Sequence, residues 1–165
     1  MKKLFLVLML FMPMAMMAQK FGHVNPEDVI QSLPEFTTAQ QELEKLGKQY
    51  EKELTDSQAE LQRQAEAYDK NKSTMNATKQ QETEAKLQEM YQKITEQAQQ
   101  NQQAFQKAQS EKMQPIYQKV MQAIEAVGKA GGYVYIMQTG SVPYINTDIS
   151  KDVTSDVKAQ LLKMK

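Results

Sequence analysis

The 165-residue chain contains no cysteine and no tryptophan, and it has a single histidine. Without cysteine there can be no disulfide bond, thiolate metal ligand, cysteine nucleophile or lipid-anchored lipoprotein start. Aromatic residues make up only 7% of the chain, and the mean hydropathy is strongly negative. This composition favours solvated helices over a thick globular core, so stability must come from packing or from assembly.

An excess of charge of one sign is also absent, because 20 basic residues balance 20 acidic ones. Nothing suggests a general attraction to nucleic acid or to an anionic membrane. The sequence also lacks a GxxxxGK[ST] phosphate loop, and Asp69, Asp148 and Asp152 have no metal-ligand spacing. With His23 as the only histidine, we interpret that residue as structural. We therefore predict neither catalysis nor a cofactor.

The first eighteen residues have the layout of a secretory signal peptide. Lys2 and Lys3 precede an apolar stretch from Leu4 to Met17, and Ala18 follows. That stretch is shorter than the roughly 20 residues of a membrane span, so an uncleaved anchor is the weaker alternative. Cleavage near Ala18 would leave 165 − 18 = 147 residues, with 18 basic and 20 acidic groups, in an extracytoplasmic space.

A short strand and a short helix are predicted next. Residues 21–25 alternate weakly and indicate a strand. Asn25 and Pro26 then form a helix start, with Asn as the N-cap and Pro at the first helical position. This helix carries Val29, Ile30 and Leu33, and it should stop near Pro34.

Two long helices with apolar seams follow, separated by the turn-forming residues 69–78. Antiparallel pairing around that turn makes the numbers of facing residues sum to about 151. Ser57, Gln64 and Asn101 interrupt the seam, so we expect a flexible hairpin. The first seam comprises Phe36, Ala39, Leu43, Leu46, Tyr50, Leu54, Leu61, Ala65 and Tyr68, and the second comprises Leu87, Met90 or Tyr91, Ile94, Ala98, Phe105 and Ala108.

The carboxyl-terminal part predicts a fresh amphipathic helix, a β-hairpin and a final short helix. The first helix begins near Pro115, carries Ile116 to Val127 and ends at Gly128, Gly131 and Gly132. The hairpin strands are Tyr133 to Met137 and Val142 to Asn146. The final helix, capped by Asp152 or Thr154, bears Val157, Leu161 and Leu162.

The predicted hairpin must be packed against other elements on both faces, because "YVYIM" is apolar on both faces. Pro143 cannot donate to a ladder, so its strand should lie at an edge. An isolated hairpin is unstable and an exposed one aggregates. Several chains should therefore share one β-rich body, built from Phe21, Val24, Tyr133, Val134, Tyr135, Ile136, Val142, Tyr144 and Ile145.

The layout resembles the Skp/OmpH family over essentially the whole chain after residue 18. The most specific stretches are "FGHVNPEDVIQSLPEFTTAQQELEKL" and "AGGYVYIMQTGSVPYINTDISKDVTSDVKAQL". The resemblance implies an α+β fold in which a long antiparallel α-helical hairpin projects from a small β-rich body, within a jellyfish-like homotrimer. It divides the chain into a signal peptide (1–18), a strand and short helix (19–34), a helical arm (35–112, tip about 69–78) and the body's return helix, β-hairpin and last helix (113–165).

The resemblance also implies an ATP-independent holdase of the periplasm. Such a protein keeps unfolded outer-membrane β-barrel proteins in a cavity between its arms and prevents their aggregation, with no cofactor. Lipid or lipopolysaccharide contact does not carry over, because only Lys70, Lys72 and Lys79 cluster near the tip of this near-neutral chain. The alternative is a structural or adaptor coiled coil of the envelope without chaperone activity.

Three side chains on the arm are candidate client contacts. Met and Tyr are adaptable apolar surfaces, which selects Tyr68, Met75 and Met90. The competing interpretation is that Tyr68 and Met90 pack in the seam. For the three lysines at the tip, the alternatives are a solvated surface and an anion contact.

Overall fold

The computed structural model describes residues 19–164. The predicted signal peptide lies outside these residues. Among the residues described, no helix combines the length and apolar character that a bilayer crossing requires. The elements in chain order are β1 (Lys20–Val24), α1 (Pro26–Gln31), α2 (Pro34–Asn71), a short 3-10 helix (Lys72–Thr74), α3 (Ala77–Gly131), β2 (Tyr133–Gln138), β3 (Ser150–Asp152) and α4 (Thr154–Leu161).

Two compact units divide the chain. The helical unit consists of Glu27–Met121, and the sheet unit combines the described residues 19–26 with residues 122–164. The long helices and the small three-stranded sheet agree with the predicted α+β fold class.

The helical unit is an antiparallel hairpin of α2 and α3. Its core is deepest at the base, where Ala39, Leu43 and Ile116 are buried, and most seam residues toward the tip are half-buried. Asn76 directly precedes α3, and its side-chain oxygen accepts from the Lys79 backbone N–H at 2.9 Å. The turn between the helices covers residues 72–76, within the predicted segment 69–78 but shorter than it.

The register of the hairpin differs slightly from the predicted sum of 151. The Tyr68 hydroxyl donates to Glu84, and a Cβ on Gly47 would lie 3.6 Å from the Phe105 side chain. The residue numbers of each of these pairs sum to 152. Nearer the base, Glu35 pairs with Lys119, a sum of 154. Long side chains reach along the helix axis, so such pairs differ by a few positions from a register counted on backbone positions.

Helix α3 corrects the expectation of a fresh helix at Pro115. One continuous helix of 55 residues runs through that proline to Gly131. Proline within a helix removes one hydrogen bond and usually kinks or breaks it. Here the apolar face continues through Met113, Ile116 and Val120, all partly or fully buried, and packing outweighs the local cost. Gly132 ends the helix with a left-handed φ of +64°.

The sheet corrects the predicted β-hairpin. Strand β1 is central and runs parallel to both β2 and β3. Residues 142–146 form no strand. Instead, Asn146 closes a turn, its side chain accepting from the Asp148 N–H at 2.9 Å and its carbonyl from the Ser150 N–H at 3.0 Å. The second strand of the sheet's carboxyl-terminal half is therefore Ser150–Asp152, for which no strand was predicted.

The sheet unit has a small core of branched side chains. Val24, Val153 and Val157 are fully buried, and Leu161 is 4% exposed. The predicted cap of helix α4 at Asp152 or Thr154 is wrong, because Val153 occupies the N-cap position. An Asp152 carboxylate oxygen still accepts from the Thr154 N–H at 2.8 Å, at the first residue of the helix. Leu162 departs from the prediction, because it follows the helix and is 89% exposed.

Candidate functional site

The seam of the hairpin is narrow and partly polar. The Ser57 hydroxyl donates to its own helix, to the Glu53 carbonyl at 2.9 Å, and the Gln64 amide donates to Glu60 at 2.7 Å. The side-chain nitrogen of Asn101 is buried without a hydrogen-bond partner among the described residues. These three polar residues are the predicted interruptions of the seam. Each replaces apolar packing between the helices with a polar side chain.

The three candidate client contacts lie in different settings. Tyr68 is only 6% exposed, and its hydroxyl donates to Glu84 at 2.5 Å. Met90 is half-buried in the seam beside Ser57, while its neighbour Tyr91 is 61% exposed. Met75 is half-buried in the tip turn. In this conformation Tyr68 and Met90 pack in the seam, and contact with a client stays a prediction.

The lysines near the tip have acidic neighbours. Lys72 lies 3.2 Å from Glu84 and 5.1 Å from the Tyr68 ring centroid, while Lys79 lies 3.2 Å from Glu82. The hydrogen bond to Glu84 raises the pKa of Lys72. Two of the three predicted cations are thus compensated locally, and an anion contact there stays untested.

A concavity that the sequence analysis missed lies at the base of the hairpin. This proline groove has a volume of about 410 Å³ and is lined by Pro34, Thr38 and Ala39 from α2 and by Lys112, Pro115 and Ile116 from α3. The predicted antiparallel register could have indicated this groove. Facing residues whose numbers sum to about 151 place Pro115 opposite the start of α2.

Ion pairs between the two helices flank the proline groove. Lys119 donates to Glu35 at 2.6 Å, and Lys112 pairs with Glu42. The hydrogen bond from Lys119 is the main cause that lowers the pKa of Glu35. The glutamate is therefore ionised at neutral pH, and the rim carries two cations and two anions.

Strand β2 lies at the edge of the sheet and keeps apolar side chains in solvent. Val134 is 56% exposed, Tyr135 is 49% exposed and Met137 is 40% exposed. Ile136 is half-buried, with Cγ1 3.2 Å from where a Cβ on Gly22 would lie. Among residues 19–164, the only strand that pairs with β2 is β1.

The other predicted body residues are placed as follows. Val24 is buried, and Phe21 stacks at a 4.9 Å centroid distance on Tyr135. Val142, Tyr144 and Ile145 lie in the irregular segment between β2 and β3. Tyr144 is 77% exposed, so this segment adds to the apolar surface although it is not a strand.

His23 lies in the central strand and is 8% exposed. Its Nδ1 is 2.9 Å from the Ser150 hydroxyl oxygen. Within residues 19–164, no group of three or more His, Cys, Asp or Glu side chains could hold a metal ion. The arrangement gives His23 a structural partner in the neighbouring strand.

Comparison with known proteins decides the family. A family model described as outer membrane protein (OmpH-like) matches residues 20–161. The chain belongs to the OmpH-like family. No curated protein matches the sequence. The fold of this OmpH-like chain is similar to the crystal structure of a Caulobacter crescentus CB15 protein described as a putative outer membrane chaperone (OmpH-like), with a TM-score of 0.76 and 20% identity over 89% of this chain and 86% of that one.

Proposed function

We propose that this OmpH-like chain is an ATP-independent holdase of the periplasm. It binds unfolded outer-membrane β-barrel proteins between the helical hairpins of a homotrimer and prevents their aggregation. Membership of the OmpH-like family supports a chaperone role. The observation that carries the finer proposal is the helical hairpin itself, with its long polar arms and half-buried, interrupted seam.

Such a hairpin suits transient binding of unlike clients. Ion pairs within the helices, including Lys48–Glu44 at 2.6 Å and Lys93–Glu89 at 2.6 Å, keep the outer surface soluble. Helices satisfy their own backbone groups and offer no sheet edge to an unfolded β-strand. Many weak contacts around a confined client then add up, because each contact raises the effective concentration of the next.

Oligomerisation is proposed from the sheet unit. An exposed apolar edge strand is a template for pairing with another chain. Burial of Val134, Tyr135 and Met137 against other copies would remove that hazard and bring several hairpins around one client. We propose three copies, because the resemblance to Skp/OmpH proteins implies a homotrimer.

Identification of co-purifying proteins from envelope extract tests the client class. We expect many different outer-membrane β-barrel proteins, released from the chaperone by urea. A single stoichiometric partner would contradict the holdase and support an adaptor coiled coil.

A further inference from the structure

The proline groove is an open concavity between α2 and α3 whose floor is part of the hairpin core. We propose that it binds one tyrosine or tryptophan side chain of an unfolded client, with the ring in the groove and its O–H or N–H donating to the groove wall. This inference deepens the proposed function and rests on it.

The shape and lining of the groove suit one aromatic ring. Ala39 and Ile116 are each 6% exposed and form its apolar floor. The rings of Pro34 and Pro115 are rigid and carry no N–H group. The volume of about 410 Å³ accommodates an aromatic side chain, the kind that contributes most apolar contact area at interfaces.

The charge of the rim favours a neutral ligand. The two lysines and two glutamates on the rim are paired with each other across the helices, Lys119 with Glu35 and Lys112 with Glu42. A charged ligand side chain would have to compete with these pairs. A neutral ring covers the apolar floor and leaves both pairs in place.

A hydrogen-bond acceptor in the wall distinguishes tyrosine and tryptophan from phenylalanine as ligands. The Thr38 side chain lines the groove. Its hydroxyl donates to the Pro34 carbonyl at 3.1 Å, which leaves its oxygen able to accept. A phenol O–H or indole N–H combines an apolar ring with a donor for this oxygen.

The proposed clients are rich in this ligand. Outer-membrane barrels carry girdles of aromatic residues at both membrane interfaces. An unfolded barrel therefore offers many tyrosine and tryptophan side chains along one chain. A shallow site that holds one ring at a time can exchange rapidly among them, as a holdase requires.

The test is a titration of the purified protein with short Gly-Ser peptides that carry one central Tyr, Trp, Phe or Ala. Backbone amide shifts are followed by NMR at Ala39, Ile116 and Lys119. We expect the Tyr and Trp peptides to shift these amides at millimolar concentration. We expect the Phe peptide to bind about fivefold more weakly, because it lacks one hydrogen bond, and the Ala peptide to have no effect. If the Tyr peptide causes no shifts, the proposal is overturned. This also holds if the shifts are absent because a second copy of the chain covers the groove.

Two variants test the location of the binding site. Thr38→Phe fills the groove and should abolish the shifts, whereas Thr37→Phe, on a neighbouring exposed position of the same helix, should preserve them. Thr38→Val removes the hydroxyl acceptor and keeps the shape of the side chain, so the preference for Tyr over Phe should shrink. Equal binding by wild type and Thr38→Phe, with circular dichroism showing both folded, would place the site elsewhere and contradict the proposal.

A parallel aggregation assay with the wild-type protein separates this inference from the function on which it rests. Suppression of client aggregation without peptide shifts at the groove would refute the aromatic site and leave the holdase standing. Peptide binding at the groove without suppression would leave the site standing and refute the holdase.

Discussion

The imidazole Nδ1 of His23 lies 2.9 Å from the hydroxyl oxygen of Ser150, and this contact joins the side chains of the central strand and strand β3. The Val153 N–H also donates to the His23 carbonyl at 2.8 Å. The short strand β3 is thus attached to β1 through both backbone and side chain.

Ser150→Ala should destabilise the sheet unit, because it leaves a buried ring nitrogen without its partner. We expect a loss of about 1–3 kcal/mol in the free energy of unfolding, measured by urea denaturation with near-ultraviolet circular dichroism. Ser141→Ala is the matched control at an exposed position and should change stability by less than about 0.5 kcal/mol. Equal effects of the two substitutions would contradict the role assigned to the contact.

Val134→Lys should abolish the oligomer without unfolding the chain. Val134 is 56% exposed within one chain, so a charge there has little to disrupt unless another copy covers the strand. Sedimentation velocity should show a monomer for this variant and a trimer for the wild type.

Leu162→Lys provides the control for oligomerisation, because Leu162 is 89% exposed and lies outside the strands. It should remain trimeric. If Val134→Lys also stayed trimeric, the edge strand would not be the assembly surface.

The strand pattern shows what the sequence could and could not predict. Five consecutive apolar residues from Tyr133 indicated a strand, and the structure has one there. The prediction of an antiparallel partner strand at residues 142–146 was wrong. Pro143 and the turn-forming Asn146 oppose a strand there more strongly than the apolar residues between them favour it. Ser150–Asp152 was missed since three polar residues carry no periodic signal, and the long-range pairing with β1 makes them a strand.

The helical part was predictable for a different reason. Apolar spacings of three and four persist over many turns, so the two arms and the turn between them were correct in position. Pro115 was misread because a local helix breaker was given more weight than the seam that continues on both sides of it. The proline groove could not be predicted, because it depends on which residues of the two arms face each other.

Asn101→Leu should stabilise the helical hairpin. The side-chain nitrogen of Asn101 is buried without a partner among the described residues, and an apolar replacement removes that desolvation cost. We expect a gain of about 1–3 kcal/mol, seen as slower amide hydrogen exchange in the middle of the arm. Gln102→Leu, at an exposed neighbouring position, should give no comparable gain. A loss of stability in Asn101→Leu would show that the buried amide is satisfied in solution.

The helical hairpin should lose stability as the pH falls into the acid range. Hydrogen bonds from Arg63, and then from Gln64, lower the pKa of Glu60 from 4.5 to about 2. The pKa of Glu84 is lowered mainly by the Tyr68 hydroxyl and then by Lys72. Since the folded pKa values lie below the unfolded ones, this stabilisation is present above pH 4.5 and is lost as the pH falls through the folded values.

Thermal melts followed by far-ultraviolet circular dichroism measure this dependence. The contribution of these carboxylates should be constant above about pH 5 and should decline below about pH 4.5. Glu60→Gln should reduce the acid-dependent part, since it removes a carboxyl group whose pKa is lowered to about 2. An unchanged acid profile in Glu60→Gln would contradict the assignment.

Light scattering during dilution of a urea-denatured outer-membrane β-barrel protein tests the central claim most directly. The account predicts that the wild-type protein suppresses scattering at one trimer per client, without nucleotide. Val134→Lys should protect poorly at the same chain concentration, although its helical hairpin is unchanged. Absence of suppression by the wild-type trimer would contradict the holdase function.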